Sequence, residues 1–250
     1  MIACYEGSDG GTGCAIGGAP CLQIPKFTGT QVVDAQVDDL CALPAVQFDA
    51  KHAAKVIPYH ATPTEVATVR VGWSLAGVHV FVDVVDSSVQ VVNTVDATQA
   101  VNKIYQGDSI ELMISSSNSV SGLTSTDGNT LHVTVPAAGP AVTVKTTNSN
   151  GSSQGAYTAL PASAYHQRMT ATGYAIELKI PWPGNAPAAG ASVRFDAILN
   201  SADKNFGTVD DLRDGQLIYY LGTVSNTSCQ GSDVVPFCDD RTWCSTMLTQ

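Results

Sequence analysis

Two residues in this chain have the types and spacing to do chemistry together, Tyr105 and Glu111. Glu111 stands in the middle of Ser109-Ile-Glu-Leu-Met-Ile114, among β-forming residues. A carboxylate in that setting either meets water or meets a polar partner in a hollow. Tyr105 sits just before the stretch and offers a ring and a hydroxyl. An aromatic at a rim and an acid on an open face could hold a polar ring such as a sugar, because the aromatic covers C–H faces and the acid takes hydroxyls. The same residues also read as an ordinary half-buried strand with a solvated glutamate. A second set of side chains, Asp34, Asp38, Asp39, Asn200 and Asp203, offers oxygen donors in turns, and oxygen ligands suit calcium. His79, His132 and His166 lack the paired spacing of metal ligands, and no Cys-x-x-Cys pair is present, so structural zinc and c-type haem are poor readings.

The elements that must position these groups are strands. Ile110, Leu112 and Ile114 alternate with Ser109, Glu111 and Met113, which is the period of a strand with one buried face. The longest such signal is Val78 to Asp86, with valines 78, 80, 82 and 84 on one side. A short strand is expected at 32–38, a long loop over 42–64, and a further strand over Val66–Trp73. Residues 87–104 read as connection. Hairpins are expected for Thr130–Val135 with Ala141–Thr147, and for Tyr165–Thr172 with Tyr174–Ile180 about Gly173. Ser192–Asn200 and Gln216–Gly222 complete the set, and 223–250 reads as a cysteine-bearing loop. About ten short strands separated by turn signals predict an all-β fold, an antiparallel two-sheet β-sandwich, jelly-roll-like. Glu111, Glu177, Arg194 and Asp196 all fall on polar phases of apolar strands. Those phases either converge on one concave face or form ordinary outer surface. Trp73 and Trp182 read as packing residues, and Asp210, Asp211 and Asp214 as a solvated loop.

Composition bounds the possibilities. The 250 residues are 44% hydrophobic and 14% charged, enough for one sizeable core. A net charge of −10 leaves no basic patch for phosphates, which excludes nucleic acid as the expected partner. The low charge and seven cysteines fit an oxidising compartment. Local loops without regular structure need tying down, so Cys229 is expected to pair with Cys238 or Cys244, and Cys21 with Cys14 or Cys41. Met1-Ile-Ala-Cys4 is similar to the end of a bacterial lipoprotein signal, in which the cysteine is acylated. Residues 1–29 then form a flexible Gly-rich tether, and 30–250 the sandwich with its cysteine-bearing C-terminal loop.

Five pieces in order carry a resemblance. They are Val33-Asp34-x-x-x-Asp38-Asp39, the run Trp73 to Asp86, Tyr105-Gln-Gly-Asp108-Ser-Ile-Glu111, Gly173-Tyr174-Ala-Ile-Glu177-Leu-Lys-Ile-Pro181-Trp182, and Phe195-Asp-Ala-Ile-Leu-Asn200-Ser-Ala-Asp203. Together they resemble the family 9 carbohydrate-binding modules and their DOMON-like relatives. The resemblance implies an antiparallel sandwich that binds sugars between two aromatic rings, with an acid and a base at the hydroxyls and structural calcium nearby. Tyr105 matches the first ring, Glu111 the acid and Asp86 the aspartate after the valine-rich strand. His132 falls near the position of the family's arginine. Trp243 is the tryptophan available for the second ring, with Phe237 as a lesser candidate, and Cys41 stands where the family has a tryptophan.

Three functions compete. The first is a non-catalytic, secreted or cell-surface module for an oligo- or polysaccharide, stabilised by calcium, with an extracellular address and a lipid anchor at Cys4. The second is a b-type haem electron-transfer domain, with Met113 opposed by His79, His132, His166 or Met169 as axial ligands. The third is a structural or adhesion protein that has lost the sugar site. An enzyme is not expected, since no pair of carboxylates shows the spacing that catalysis needs.

Overall fold

The structure is a computed structural model that describes residues 22–92, 95–96, 101–118, 130–144, 157–203, 213–219 and 243–250. Alternation of apolar and polar residues sets up strands throughout. The first half of the chain gives β1 (Leu22–Ile24), β2 (Ala45–Phe48), β3 (Lys55–Pro58), β4 (Val66–Ser74) and β5 (Gly77–Val85). A short pair follows, β6 (Val95–Asp96) and β7 (Val101–Asn102), then β8 (Ser109–Ser115), β9 (Thr130–Pro136), β10 (Val142–Val144) and β11 (Tyr157–Ala159). The last five are β12 (Tyr165–Met169), β13 (Gly173–Ile180), β14 (Ser192–Ala202), β15 (Arg213–Ile218) and β16 (Cys244–Leu248). The helical elements among the described residues are two 3-10 turns, Ile104–Gln106 and Ala162–Ala164.

The strands form two packed sheets, as the all-β sandwich expectation requires. A nine-stranded sheet runs β1-β16-β14-β8-β9-β10-β11, and a five-stranded sheet runs β12-β13-β5-β4-β2. The long β14 is shared: Ser192–Phe195 pair with β16, and Ile198–Ala202 pair with β15, which in turn pairs with β3. Between the sheets lie Ile110, Leu112 and Ile114 of β8 and Val193, Phe195 and Leu199 of β14. They pack against Val80, Val82 and Val84 of β5 and Ile176 and Leu178 of β13. Burying a side chain of this size is worth about 1.5–3 kcal/mol, so this layer sets which phase of each strand faces in. Trp73 and Trp182 are both buried, and their indole N–H groups donate to Thr249 O at 2.7 Å and Ser74 O at 2.8 Å. They are packing residues, as expected.

Several boundaries differ from the sequence reading. Residues 32–38 form no strand, and the stretch expected to be a loop over 42–64 contains β2 and β3. The tail expected to be a loop contributes β16, which pairs with both β14 and β1. The sheet already begins at Leu22, ahead of the boundary expected near residue 30. Both hairpins form, with Val142 opposite Thr134 and Met169 opposite Tyr174. Gly173 turns the second one at φ 156°, where a Cβ would lie 2.1 Å from Val84 O.

The polar phases do not converge on one face. Glu177 and His79 belong to the outer face of the five-stranded sheet, and the segment Phe27–Leu43 covers them. Glu177 Oε1 accepts from Gln31 Nε2 at 2.8 Å, and its Oε2 accepts from Asp34 N at 2.8 Å and Ala35 N at 2.9 Å. Ala35 is held at φ 59°, in the left-handed region, by that bond and by Arg168 Nε donating to its carbonyl at 3.2 Å. His79 Nδ1 lies 2.6 Å from Gln31 Oε1 and its Nε2 lies 2.7 Å from Ser74 Oγ. Burial, with the charge of Lys179, drives the His79 imidazole down to about 4 from 6.5.

That burial has a sign. Folded His79 stays neutral down to about pH 4, while the unfolded chain takes up a proton below 6.5. Stability from this site is therefore full above pH 6.5 and falls as the pH drops toward 4, by at most about 3 kcal/mol. The urea midpoint of the wild type should fall across that window. His79→Gln, which keeps an amide in place of the ring, should flatten the fall. An unchanged slope in the variant would assign the acid sensitivity to other groups.

Candidate functional site

The outer face of the nine-stranded sheet is built from the phase opposite the core. The register sets Glu111 opposite Thr134 and Ile198, Met113 opposite His132 and Asp196, and Ser109 opposite Asn200. Asn200 in turn lies opposite Gln216 on β15. Residues paired in this way share a face, so the side chains of Glu111, His132, Asn200 and Gln216 meet on it. His132 Nε2 lies 2.7 Å from Glu111 Oε2. Asn200 Nδ2 donates to Glu111 Oε1 at 2.9 Å and to Ser109 Oγ at 3.0 Å. Gln216 Nε2 donates to Asn200 Oδ1 at 2.6 Å, and Tyr59 OH donates to Gln216 Oε1 at 2.9 Å. The result is a continuous chain of hydrogen bonds from Tyr59 to His132.

Glu111 is 4% exposed, so the solvated-glutamate alternative does not hold. Burial pushes its carboxyl up, but the bond and charge of His132, the Asn200 bond and the Arg213 charge outweigh it and hold the carboxyl below its ordinary value. Both carboxylate oxygens are engaged. At the rim, the Arg213 guanidinium carbon lies 4.0 Å from the Tyr59 ring centre and 5.1 Å from that of Tyr105. A shift of register between Ser201 and Ala202 turns Arg213 to this face and Asp214 to the other.

The expected site residues separate into three groups. Tyr105, Glu111 and His132 lie on this face, with His132 directly on Glu111. Trp243 is 3% exposed and packs with Ile57, Met113, Ile198 and Ile218, so it forms apolar floor rather than an open ring. Its carbonyl accepts from Arg194 Nη1 at 2.9 Å. Asp86 lies elsewhere, with Glu65 and Asp108, where one oxygen from each falls within 4.8 Å of the others. Asn200, expected among calcium ligands, belongs to the Glu111 chain. Asp34, Asp38 and Asp39 take local turn bonds: Asp34 accepts from Gln36, Asp38 from Asp39 N, and Asp39 from Val32 N. Asp203 acts on Asp86 through its charge. Asp214, expected in a solvated loop, is buried and bonded to Ser201 Oγ at 2.5 Å. Sequence reasoning missed Tyr59, Arg213 and Gln216, and Glu65 in the acidic group. The signal available was the polar Gln216 beside the apolar Leu217 and Ile218, while its place opposite Asn200 follows from the pairing of β15 with β14.

The haem ligand set is not assembled. Met113 and His132 are cross-strand neighbours on one face, not groups opposed across a ring. His79 lies on the other sheet, and His166 and Met169 are exposed on β12. Cys41 carries a free thiol, which removes it as the partner of Cys21. Cys4, Cys14, Cys21, Cys229, Phe237 and Cys238 lie outside the described residues.

The comparisons agree with this architecture. The fold is similar to a carbohydrate binding module family 9 from Caldicellulosiruptor kristjanssonii in complex with cellotriose, at TM-score 0.59 and 16% identity, covering 91% of this chain and 93% of that one. It is similar also to the module from the same organism in complex with glucose, at TM-score 0.58 and 18% identity, covering 91% and 95%. Comparison with curated proteins gives no match. A family model described as "Carbohydrate family 9 binding domain-like" matches residues 33–232, and the chain belongs to that family.

Proposed function

We propose that the outer face of the nine-stranded sheet binds a neutral oligosaccharide without transforming it, in an extracellular or cell-surface setting. The observation that carries this reading is the hydrogen-bonded chain from Tyr59 through Gln216, Asn200 and Glu111 to His132, rimmed by two tyrosine rings and Arg213. Its polar atoms are fixed by neighbours before any ligand arrives, and such preorganisation lowers the entropy that binding must overcome. Tyr59 and Tyr105 can cover the C–H faces of a pyranose, while Arg213 meets its hydroxyls and the buried amides hold the rim in place. Family membership and the sugar complexes of the two structural neighbours support the same reading. Glu111 acts as a fixed acceptor. Both its oxygens are already bonded, which suits a binding role better than attack on a glycosidic bond.

Calorimetric titration of cellotriose and of glucose into the full chain tests the reading. Tyr105→Ala should weaken binding about tenfold or more, taking 1–3 kcal/mol per stacked ring as the nearest analogue. The melting temperature should move by no more than about 2 °C, as for most surface changes. No heat with either sugar, and no signal on an array of neutral glycans, would overturn it in favour of a structural or adhesive role.

Glu111 and His132 need a separate control, because the structure makes them part of the fold's stability. His132→Ala leaves a buried carboxylate without its partner and should cost on the order of 3 kcal/mol in a urea titration. The double change Glu111→Leu with His132→Leu should recover most of that loss, since the uncompensated charge is then gone. A His132→Ala chain as stable as wild type would mean that Glu111 reaches water.

A further inference from the structure

The two tyrosine faces offered to a sugar are already covered. The Arg213 guanidinium lies over both, its carbon 4.0 Å from the centre of the Tyr59 ring and 5.1 Å from that of Tyr105. Heavy atoms in contact sit about 4 Å apart, so a face covered at that distance has no room for a pyranose as well. The backbone makes this arrangement firm. The register shift in β14 sets Arg213 opposite Ala202 and Gly215 opposite Ser201, which leaves Asp214 as the extra residue. The Asp214 carbonyl accepts from Tyr59 N at 2.8 Å, His60 N at 2.9 Å and Ala61 N at 3.2 Å. Gly215 passes so near Pro63 that a Cβ there would lie 2.5 Å from its Cγ. The loop that carries Tyr59 is thereby tied to the residue next to Arg213.

We propose that Arg213 gates the sugar site: its guanidinium closes the tyrosine pair in the ligand-free protein, and a sugar stacks on the rings only after displacing it. The inference rests on the reading that this face binds a sugar. Of the three side chains, the arginine is the one built to move. The Tyr59 hydroxyl is held by Gln216 at 2.9 Å, and Gln216 is itself 1% exposed. Tyr105 stands inside a 3-10 turn, where Gln106 N donates to Lys103 O at 3.0 Å and Gly107 N to Ile104 O at 3.1 Å. The Arg213 head hangs on a long aliphatic stem with many rotamers, so it can swing while its backbone stays in the ladder.

Two forces hold the gate closed at rest. A cation over an aromatic face is attracted by the ring quadrupole, and here two rings act on one guanidinium. The second force is the buried Glu111 carboxylate, on which the Arg213 charge acts as a stabilising neighbour. Glu111 keeps its bonds to His132 and Asn200 whatever the arginine does. A displaced guanidinium therefore stays in the field of that carboxylate and swings aside without leaving. There its fork of N–H donors meets the hydroxyls of the sugar that has taken its place. The exchange explains how one residue can both cover the rings and serve the bound ligand. It also makes affinity a difference of two contacts: the rings lose a cation and gain the C–H face of a pyranose.

The chain has five arginines, few enough to watch this one directly. In the full chain labelled at arginine, nuclear magnetic resonance should show one side chain with proton signals moved upfield by the tyrosine rings. Arg213→Lys should remove that set. Saturating cellotriose should return the shifted signals toward ordinary arginine positions. Stopped-flow fluorescence with cellotriose should give an observed rate that levels off at high sugar in the wild type, because opening precedes stacking. In Arg213→Ala the rate should keep rising linearly, and at low sugar association should be about tenfold faster, since two exposed cation–π contacts no longer have to be released. Arg213→Lys, which keeps the charge without the flat guanidinium, should also associate faster than the wild type; a role through charge alone would leave its rate unchanged. Should Arg213→Ala fail to fold, the wild-type signals and the lysine variant still decide. Upfield signals that stay in place in the sugar-bound protein, or equal association rates in the wild type and Arg213→Ala, would overturn the gate and leave the sugar site standing. Binding by Arg213→Ala alone would support the gate. Binding of cellotriose by neither chain would overturn the sugar reading and the gate with it.

Discussion

A carboxylate buried in mid-strand is costly unless every lone pair finds a partner, and Glu111 imposes that condition on the whole nine-stranded sheet. Its two oxygens recruit His132 from β9 and Asn200 from β14. Asn200 must then present its carbonyl to Gln216 of β15, which orients Tyr59 from the loop after β3. A slip of one residue in β8 would turn Glu111 into the valine- and leucine-lined core and lose all of these bonds at once. The apolar phase and the polar phase therefore specify one register from opposite sides of the same strand.

Two other buried carboxylate groups meet the same cost differently. Glu177 is closed over by a segment without regular structure, whose Asp34 and Ala35 amides it accepts. That arrangement fastens residues 27–43 to the outer face of the five-stranded sheet and explains why a non-glycine residue tolerates φ 59° at Ala35. The end-of-core group of Glu65, Asp86 and Asp108 has too few donors for its oxygens among its neighbours. Glu111 is satisfied by side chains and Glu177 chiefly by backbone.

The sequence exposes some of this and hides the rest for definite reasons. The strands about Glu111, Val80 and Ile176 show a clean period of two because one face of each packs into the core. The hairpin about Gly173 is legible because only glycine suits φ 156° there. β2 and β3 are hidden because they are edge strands of four residues beside prolines, where pairing tolerates irregular composition. β16 is hidden because its buried positions, Cys244, Thr246 and Leu248, are set by long-range pairing with β1 and β14 and not by any local turn. Within the site, Tyr105, Glu111 and His132 are legible as chemistry on or beside strands. Tyr59 and Arg213 are not, because they reach the face from an edge strand's exit and from a register shift.

Glu111 and Glu177 have the same local signature, an acid on the polar phase of a valine- and isoleucine-rich strand, yet different surroundings. What separates them is the rest of the sheet's outer face. On the five-stranded sheet, Phe27, Leu40, Leu43 and Phe81 form an apolar cluster that draws the N-terminal segment down over Glu177 and His79. On the nine-stranded sheet, the apolar cluster of Ile57, Met113, Ile198, Ile218 and Trp243 sits beside the polar chain, while Tyr59 remains 43% exposed at its edge. One face is thus sealed by its own chain. The other carries its polar row buried beside an apolar cluster, with Asn200 and Gln216 as closed to water as Glu177 is, and reaches solvent at its rim through Tyr59.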